Sequence, residues 1–222
     1  MQKNTHLESG FEAIDAHTGG GYLPGRLFIA RTLEVYPDEL QDFIIDQMRE
    51  FALNGKRVFV ASLGMDEKDL AKCLLMDATP QQIRKLYNAE LWVCVKKEDN
   101  SFKKTIKEFE EYLDRIAPDV FLIDGVDEIL PPVERQTPLD TSAVDTLLKL
   151  AKDASVPVIV SDYRNRLETG LHRDAHVTEM ELKTDIRDTV QASILSNDKE
   201  TVTEDLYGLW RVFEKILKKE QN

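Results

Sequence analysis

Cysteine is almost missing from this chain. Cys73 and Cys94 are the two present, each inside an apolar run, Lys72-Cys73-Leu74-Leu75 and Trp92-Val93-Cys94-Val95. Thiols so placed read as reduced core side chains rather than a disulfide or half of a metal site. A cytoplasmic location is the matching expectation. Long apolar runs are missing too. No segment approaches the roughly 20 residues needed to cross a bilayer, which predicts no membrane partner. Met1–Gly10 is polar and has no apolar signal core, so export is not expected. Positive charge is also in short supply, the formal net charge being −12. Such a chain is repelled by nucleic-acid phosphates unless its cations gather on one surface.

What is present suits a globular domain: 222 residues, 42% hydrophobic and 32% charged, enough for one well-buried sheet. Apolar runs of strand length are Arg26–Arg31, Arg57–Ser62, Leu91–Val95, Val120–Asp124 and Pro157–Ser161. Most are apolar on both faces, as parallel strands covered by helices must be. Ala192–Leu195 and Tyr207–Phe213 are two further candidates. Helical segments fall between them: Pro37 toward Leu53, Glu67–Met76 capped by Asp66, Thr79-Pro80 through Tyr87, Phe102–Ile116 capped by Ser101, and Thr141–Ala154. Asp162–Met180 has weak periodicity and reads as a long loop. Strand and helix in alternation predict a mostly parallel central sheet flanked by helices, with residues 1–222 forming a single domain.

Near the start stand Ser9-Gly10-Phe11, Ile14-Asp15, Thr18-Gly19-Gly20-Gly21 and Pro24-Gly25, followed by a strand ending in Ala30-Arg31. This order resembles the opening of the RecA-like ATPase domain of DnaB-type replicative helicases. Val58–Leu75 is similar to that family's second strand and following helix. Ala117–Leu130 resembles its Walker B strand, Val156–Glu168 its phosphate-sensing strand and loop, and Asp185-Ile186-Arg187-Asp188 a later turn. The resemblance implies an α/β, RecA-like P-loop NTPase fold, with ATP and Mg²⁺ as cofactors and DNA as a partner in a working member.

The phosphate loop departs from that pattern. A Gly-Lys-Ser/Thr sequence lets backbone N–H groups wrap phosphate, neutralises its charge with lysine and holds Mg²⁺ with the hydroxyl. Counted from Ala30 and Arg31, with Thr32 beside them, those positions fall on Val35, Tyr36 and Pro37. Valine does not readily adopt a glycine conformation, tyrosine carries no positive charge, and proline has neither hydroxyl nor N–H. Glu34, Asp38 and Glu39 add carboxylates where a helix N-terminus would otherwise attract an anion. Phosphate beside one would meet repulsion of about 4 kcal/mol at an effective dielectric of ~20.

Other expected catalytic groups are replaced. Gly64 occupies the position of the family's water-polarising glutamate, and a glycine cannot act as a base. Asp162 follows Ser161 where the family places a phosphate-sensing glutamine. No arginine follows Arg211 to serve as a finger. Asp124 is retained and is the candidate Mg²⁺ ligand, although a strand-end carboxylate kept for folding reads equally simply. Asp124, Asp127 and Glu128 read together as a solvated turn at the sheet edge. Arg164, Arg166 and Arg173 are the candidate nucleic-acid contacts, nearly cancelled by Asp162, Glu168 and Asp174. His172 and His176 have helical chelating spacing but no third ligand.

The expectation is a catalytically degenerate, non-hydrolysing DnaB-like domain that binds or assembles, linked to DNA replication or a mobile element. No cofactor is expected. The expected partners are copies of itself or a replication helicase. The alternatives are a divergent ATP-dependent DnaB-like helicase subunit, which would need ATP and Mg²⁺, and a non-catalytic nucleic-acid-binding module.

Overall fold

A computed structural model describes residues 6–32, 38–95, 101–130, 141–167, 176–184, 190–196 and 199–205. In chain order the elements are α1 (Glu12–Thr18), β1 (Leu27–Thr32), α2 (Asp38–Leu53), β2 (Val58–Ser62), α3 (Glu67–Leu75), α4 (Pro80–Tyr87), β3 (Leu91–Val95), α5 (Phe102–Ile116), β4 (Val120–Asp124), a 3₁₀ turn (Val126–Glu128), α6 (Thr141–Ala154), β5 (Val158–Asp162), β6 (Val177–Thr184), β7 (Val190–Ser196) and β8 (Lys199–Asp205).

The strands form one sheet in the order β3-β2-β4-β5-β1-β6-β7-β8. The run from β3 to β6 is parallel, and β7 and β8 extend it antiparallel. Every residue of β2, β4 and β5 is buried, because helices cover both faces of these central strands. Alternation along each strand divides the core in two. Val120 and Leu122 of β4 join Phe43, Met48 and Phe51 of α2, with Leu74 of α3 and Leu86 of α4. Phe121 and Ile123 point the other way, to Phe109 and Leu113 of α5 and Val144 and Leu147 of α6. Phe59 stacks on Phe121 at 4.7 Å and Phe109 meets Phe121 edge-on at 5.1 Å, two arrangements the aromatic quadrupole favours.

The glycine-rich lead-in serves architecture. Gly19 ends α1 in the left-handed region, and the Thr18 hydroxyl accepts the Gly21 N–H at 3.0 Å. Leu7 and Tyr22 then exchange both backbone hydrogen bonds at 2.8 Å. Gly21, at φ +110°, lies so close that a Cβ there would sit 2.2 Å from the Leu7 carbonyl oxygen. Gln47 of α2 donates to the Ser9 carbonyl at 2.7 Å and ties this segment to the core.

Several elements differ from the sequence expectation. Asp66 and Thr79 cap α3 and α4 through their side chains, with Gln82 completing a capping box. Ser101 precedes α5 without a side-chain capping bond. Helix α1 was not expected, being short with only Ile14 and Phe11 to mark a buried side. Strand β6 begins inside the stretch read as a loop. Its polar residues Thr178, Glu179 and Glu181 hide the apolar positions Val177, Met180 and Leu182 that the sheet buries. Strand β8 is polar throughout except Val202, as an edge strand is free to be. The expected strand Tyr207–Phe213 and the expected turn Asp185–Asp188 lie outside the described residues. Cys73 and Cys94 are free thiols, half-buried rather than fully enclosed. Among the described residues no helix is long and apolar enough to cross a membrane, and no group of three or more His, Cys, Asp or Glu is placed to hold a metal.

Candidate functional site

Adjacent pairing of β4 with β5 and of β5 with β1 aligns their carboxyl ends along one crest. In open α/β sheets this is where ligands bind.

Asp124 closes β4 and is 2% exposed. Two hydroxyls converge on one of its oxygens. The Tyr163 hydroxyl donates to Oδ1 at 2.6 Å, and the Ser161 hydroxyl donates to the same oxygen at 3.0 Å. Ser161 Oγ accepts the Gly125 N–H at 2.7 Å in turn, so a relay runs from backbone to hydroxyl to carboxylate. Burial raises the Asp124 carboxyl above the ordinary carboxylate range, while the bonds from Tyr163 and Ser161 pull it back. Burial and the neighbouring Asp124 charge push the Tyr163 phenol far above its usual value, so it remains a hydrogen-bond donor.

Asp127 corrects the expectation of a solvated turn: it is buried, like Asp124. Its carboxylate accepts the Tyr163 N–H at 3.2 Å and faces Arg164 Nε at 3.3 Å. Burial is also the main reason its carboxyl is raised, offset by backbone N–H donors. Asp162 is likewise not turned toward open solvent. Its two oxygens accept the backbone N–H groups of Arg166 at 2.9 Å and Leu167 at 2.8 Å, so it caps its own loop.

The arginines face the same turn. Arg164 binds Glu128 at 2.7 Å as well as Asp127. Arg166 donates to the carbonyls of Asp127 at 2.9 Å and Leu130 at 3.4 Å. From β1, Arg31 donates to the Leu167 carbonyl at 3.1 Å and lies 3.5 Å from Glu179. Thr32 is buried, and its carbonyl accepts the Asn165 side-chain amide at 2.8 Å. The segment from Tyr163 to Leu167 is thus sewn to β1, β4 and the 3₁₀ turn. Gly64, in the place of the expected glutamate, is exposed with open space around its Cα. Val35, Tyr36, Pro37 and Arg173 lie outside the described residues, as does His172.

The structure brings together Arg31, Thr32, Asp124, Asp162, Arg164 and Arg166, and adds three residues that the sequence reading passed over: Ser161 and Tyr163, which hold Asp124, and Asn165, which holds Thr32. The available signal was the dense polar run Ser161-Asp162-Tyr163-Arg164-Asn165-Arg166 directly after an apolar strand. At the opposite end of the sheet a hollow of about 510 Å³ opens beside Arg57, Asp119 and Pro157. The Arg57–Asp119 pair at 3.1 Å neutralises its rim.

Strand order, two-sided helical cover and a crest at the ends of β1, β4 and β5 define a RecA-like P-loop NTPase fold. The solved ATPase domain of a DnaB-like helicase has this fold. It superposes on 90% of this chain and 87% of its own with a TM-score of 0.64, at 17% sequence identity. No protein-family model and no curated protein matches the chain.

Proposed function

We propose that this chain is a catalytically silent relative of DnaB-type helicase ATPase domains and acts by binding rather than by hydrolysing ATP. The observation that carries this reading is the state of Asp124. Its carboxylate, which in a working domain of this kind would help hold Mg²⁺, is enclosed by the Tyr163 and Ser161 hydroxyls. The remaining residues suit Mg²⁺–triphosphate no better. Val35, Tyr36 and Pro37 supply neither lysine nor hydroxyl at the side-chain positions that phosphate and metal require, Gly64 supplies no base, and the Asp162 oxygens already accept two N–H groups. The cations of the crest are engaged with carboxylates and carbonyls, which favours this reading over a nucleic-acid module.

The test is a thermal melt of the full chain with and without millimolar ATP and Mg²⁺, beside a phosphate-release assay. A ligand bound at a hundred times its Kd would stabilise the fold by about 2.7 kcal/mol. The expected result is no shift and no phosphate release. A reproducible upward shift with turnover abolished by Asp124→Asn would overturn the proposal.

A further inference from the structure

The exposed large apolar side chains among the described residues are not scattered. Leu75, Met76, Ile83, Tyr87 and Val93 are 37% to 89% exposed, and all belong to α3 and its cap, α4 and β3. On α4, Ile83, Arg84 and Tyr87 share one outward arc at helical spacing, opposite the buried Leu86. Val93 projects from the same sheet face as Leu91, which packs against the core cluster containing Leu74 and Leu86. Strand β3 is the edge of the sheet and pairs only with β2 among the described residues. Arg49 of α2 holds this unit in place by donating to the carbonyls of Cys73 at 3.0 Å, Leu74 at 3.2 Å and Met76 at 3.2 Å.

Charge selects the occupant. Helix α4 carries Arg84 and Lys85 and no acidic residue, on a chain of net charge −12. Neither cation pairs with a carboxylate among the described residues. A second copy of the chain fits poorly. A twofold contact centred here would set Arg84 and Lys85 against their own copies. A head-to-tail contact would need a second apolar patch, and the exposed large apolar groups described all lie on this one surface.

We infer that the α3–α4–β3 edge is a docking surface for an acidic amphipathic helix of another protein, whose apolar stripe covers Ile83 and Tyr87 while its carboxylates meet Arg84 and Lys85. This deepens the binding role proposed above and rests on it.

The probe is a labelled synthetic helix of about 18 residues, long enough to hold helical structure on binding. It carries Leu and Phe at i, i+3, i+4 and i+7 and Glu or Asp on the flanks. Its twin replaces every acid by Lys. Binding to the full chain is read by fluorescence anisotropy. The acidic peptide should bind, the lysine twin should not, and Tyr87→Ala and Arg84→Glu should each weaken binding by about tenfold or more. Both positions are exposed, so circular dichroism melts of the variants should match the wild type. Failure of the acidic peptide to bind, equal binding of the two peptides, or indifference to both substitutions would overturn the inference. So would concentration-dependent dimerisation in sedimentation that Tyr87→Ala abolishes, since a second copy would then be the occupant. ATP turnover would count against the silent-ATPase reading, whereas peptide binding reports on this surface alone.

Discussion

The Tyr163 hydroxyl donates to Asp124 Oδ1 at 2.6 Å, joining the loop after β5 to the last residue of β4. The bond places a fixed internal donor on the carboxylate that an ATPase of this fold would turn toward a metal ion. Tyr163→Phe leaves the ring and its packing but removes the donor. A hydrogen bond to a buried charged group contributes about 1.5–3 kcal/mol, and urea unfolding of this variant should show a loss in that range. An unchanged midpoint would mean that the hydroxyl contributes nothing to the crest.

Gly21 is fixed by space as well as by conformation. Gly21→Ala would drive a Cβ into the Leu7 carbonyl at 2.2 Å, at a φ of +110°. Backbone strain of this kind costs about 1–3 kcal/mol. The lead-in should therefore detach before the core does, seen as faster amide exchange at Leu7 and Tyr22.

Arg49 anchors α3 from α2 without contributing an apolar group to the surface. Arg49→Met keeps the aliphatic stem and loses three carbonyl partners. A stability loss of about 1–3 kcal/mol is expected, together with weaker binding of the acidic peptide. Peptide affinity equal to wild type would show that α3 and α4 hold their positions unaided.

Asp119 gives the pH dependence its sign. Burial acts to raise its carboxyl, but the Arg57 side chain and backbone N–H, bonded at 3.1 and 2.8 Å, more than offset this and hold it below the ordinary carboxylate value. The folded state therefore binds this proton more weakly than the unfolded chain. The stabilising contribution is present above the unfolded value and is lost as pH falls through the lowered folded value. Asp119→Asn should flatten the acid limb of the stability curve, measured by urea unfolding across acidic pH.

The central strands were legible because β2, β4 and β5 are covered on both faces and so leave uninterrupted apolar runs. Helix α5 was equally clear from Phe102, Ile106, Phe109 and Leu113. Strands β6 and β8 were not, because β6 mixes exposed and buried positions irregularly and an edge strand has no inner face on both sides. The crest was half legible. Asp124 was found as a strand-end carboxylate, but whether it faces solvent or a hydroxyl depends on how the loop from Tyr163 to Leu167 folds back across the 39 positions that separate Tyr163 from it. Spacing does not report that closure. The burial of Asp127 was missed for the same reason, since its N–H donor comes from Tyr163.

The relay from the Gly125 amide through Ser161 to Asp124 means that the crest needs no guest to be complete. RecA-like motors draw their two shapes from a ligand that arrives whole and leaves broken. A chain that supplies the missing partners from its own hydroxyls is left with one shape, and any timing it imposes on others must come from how much of it is made and from who is present to be held.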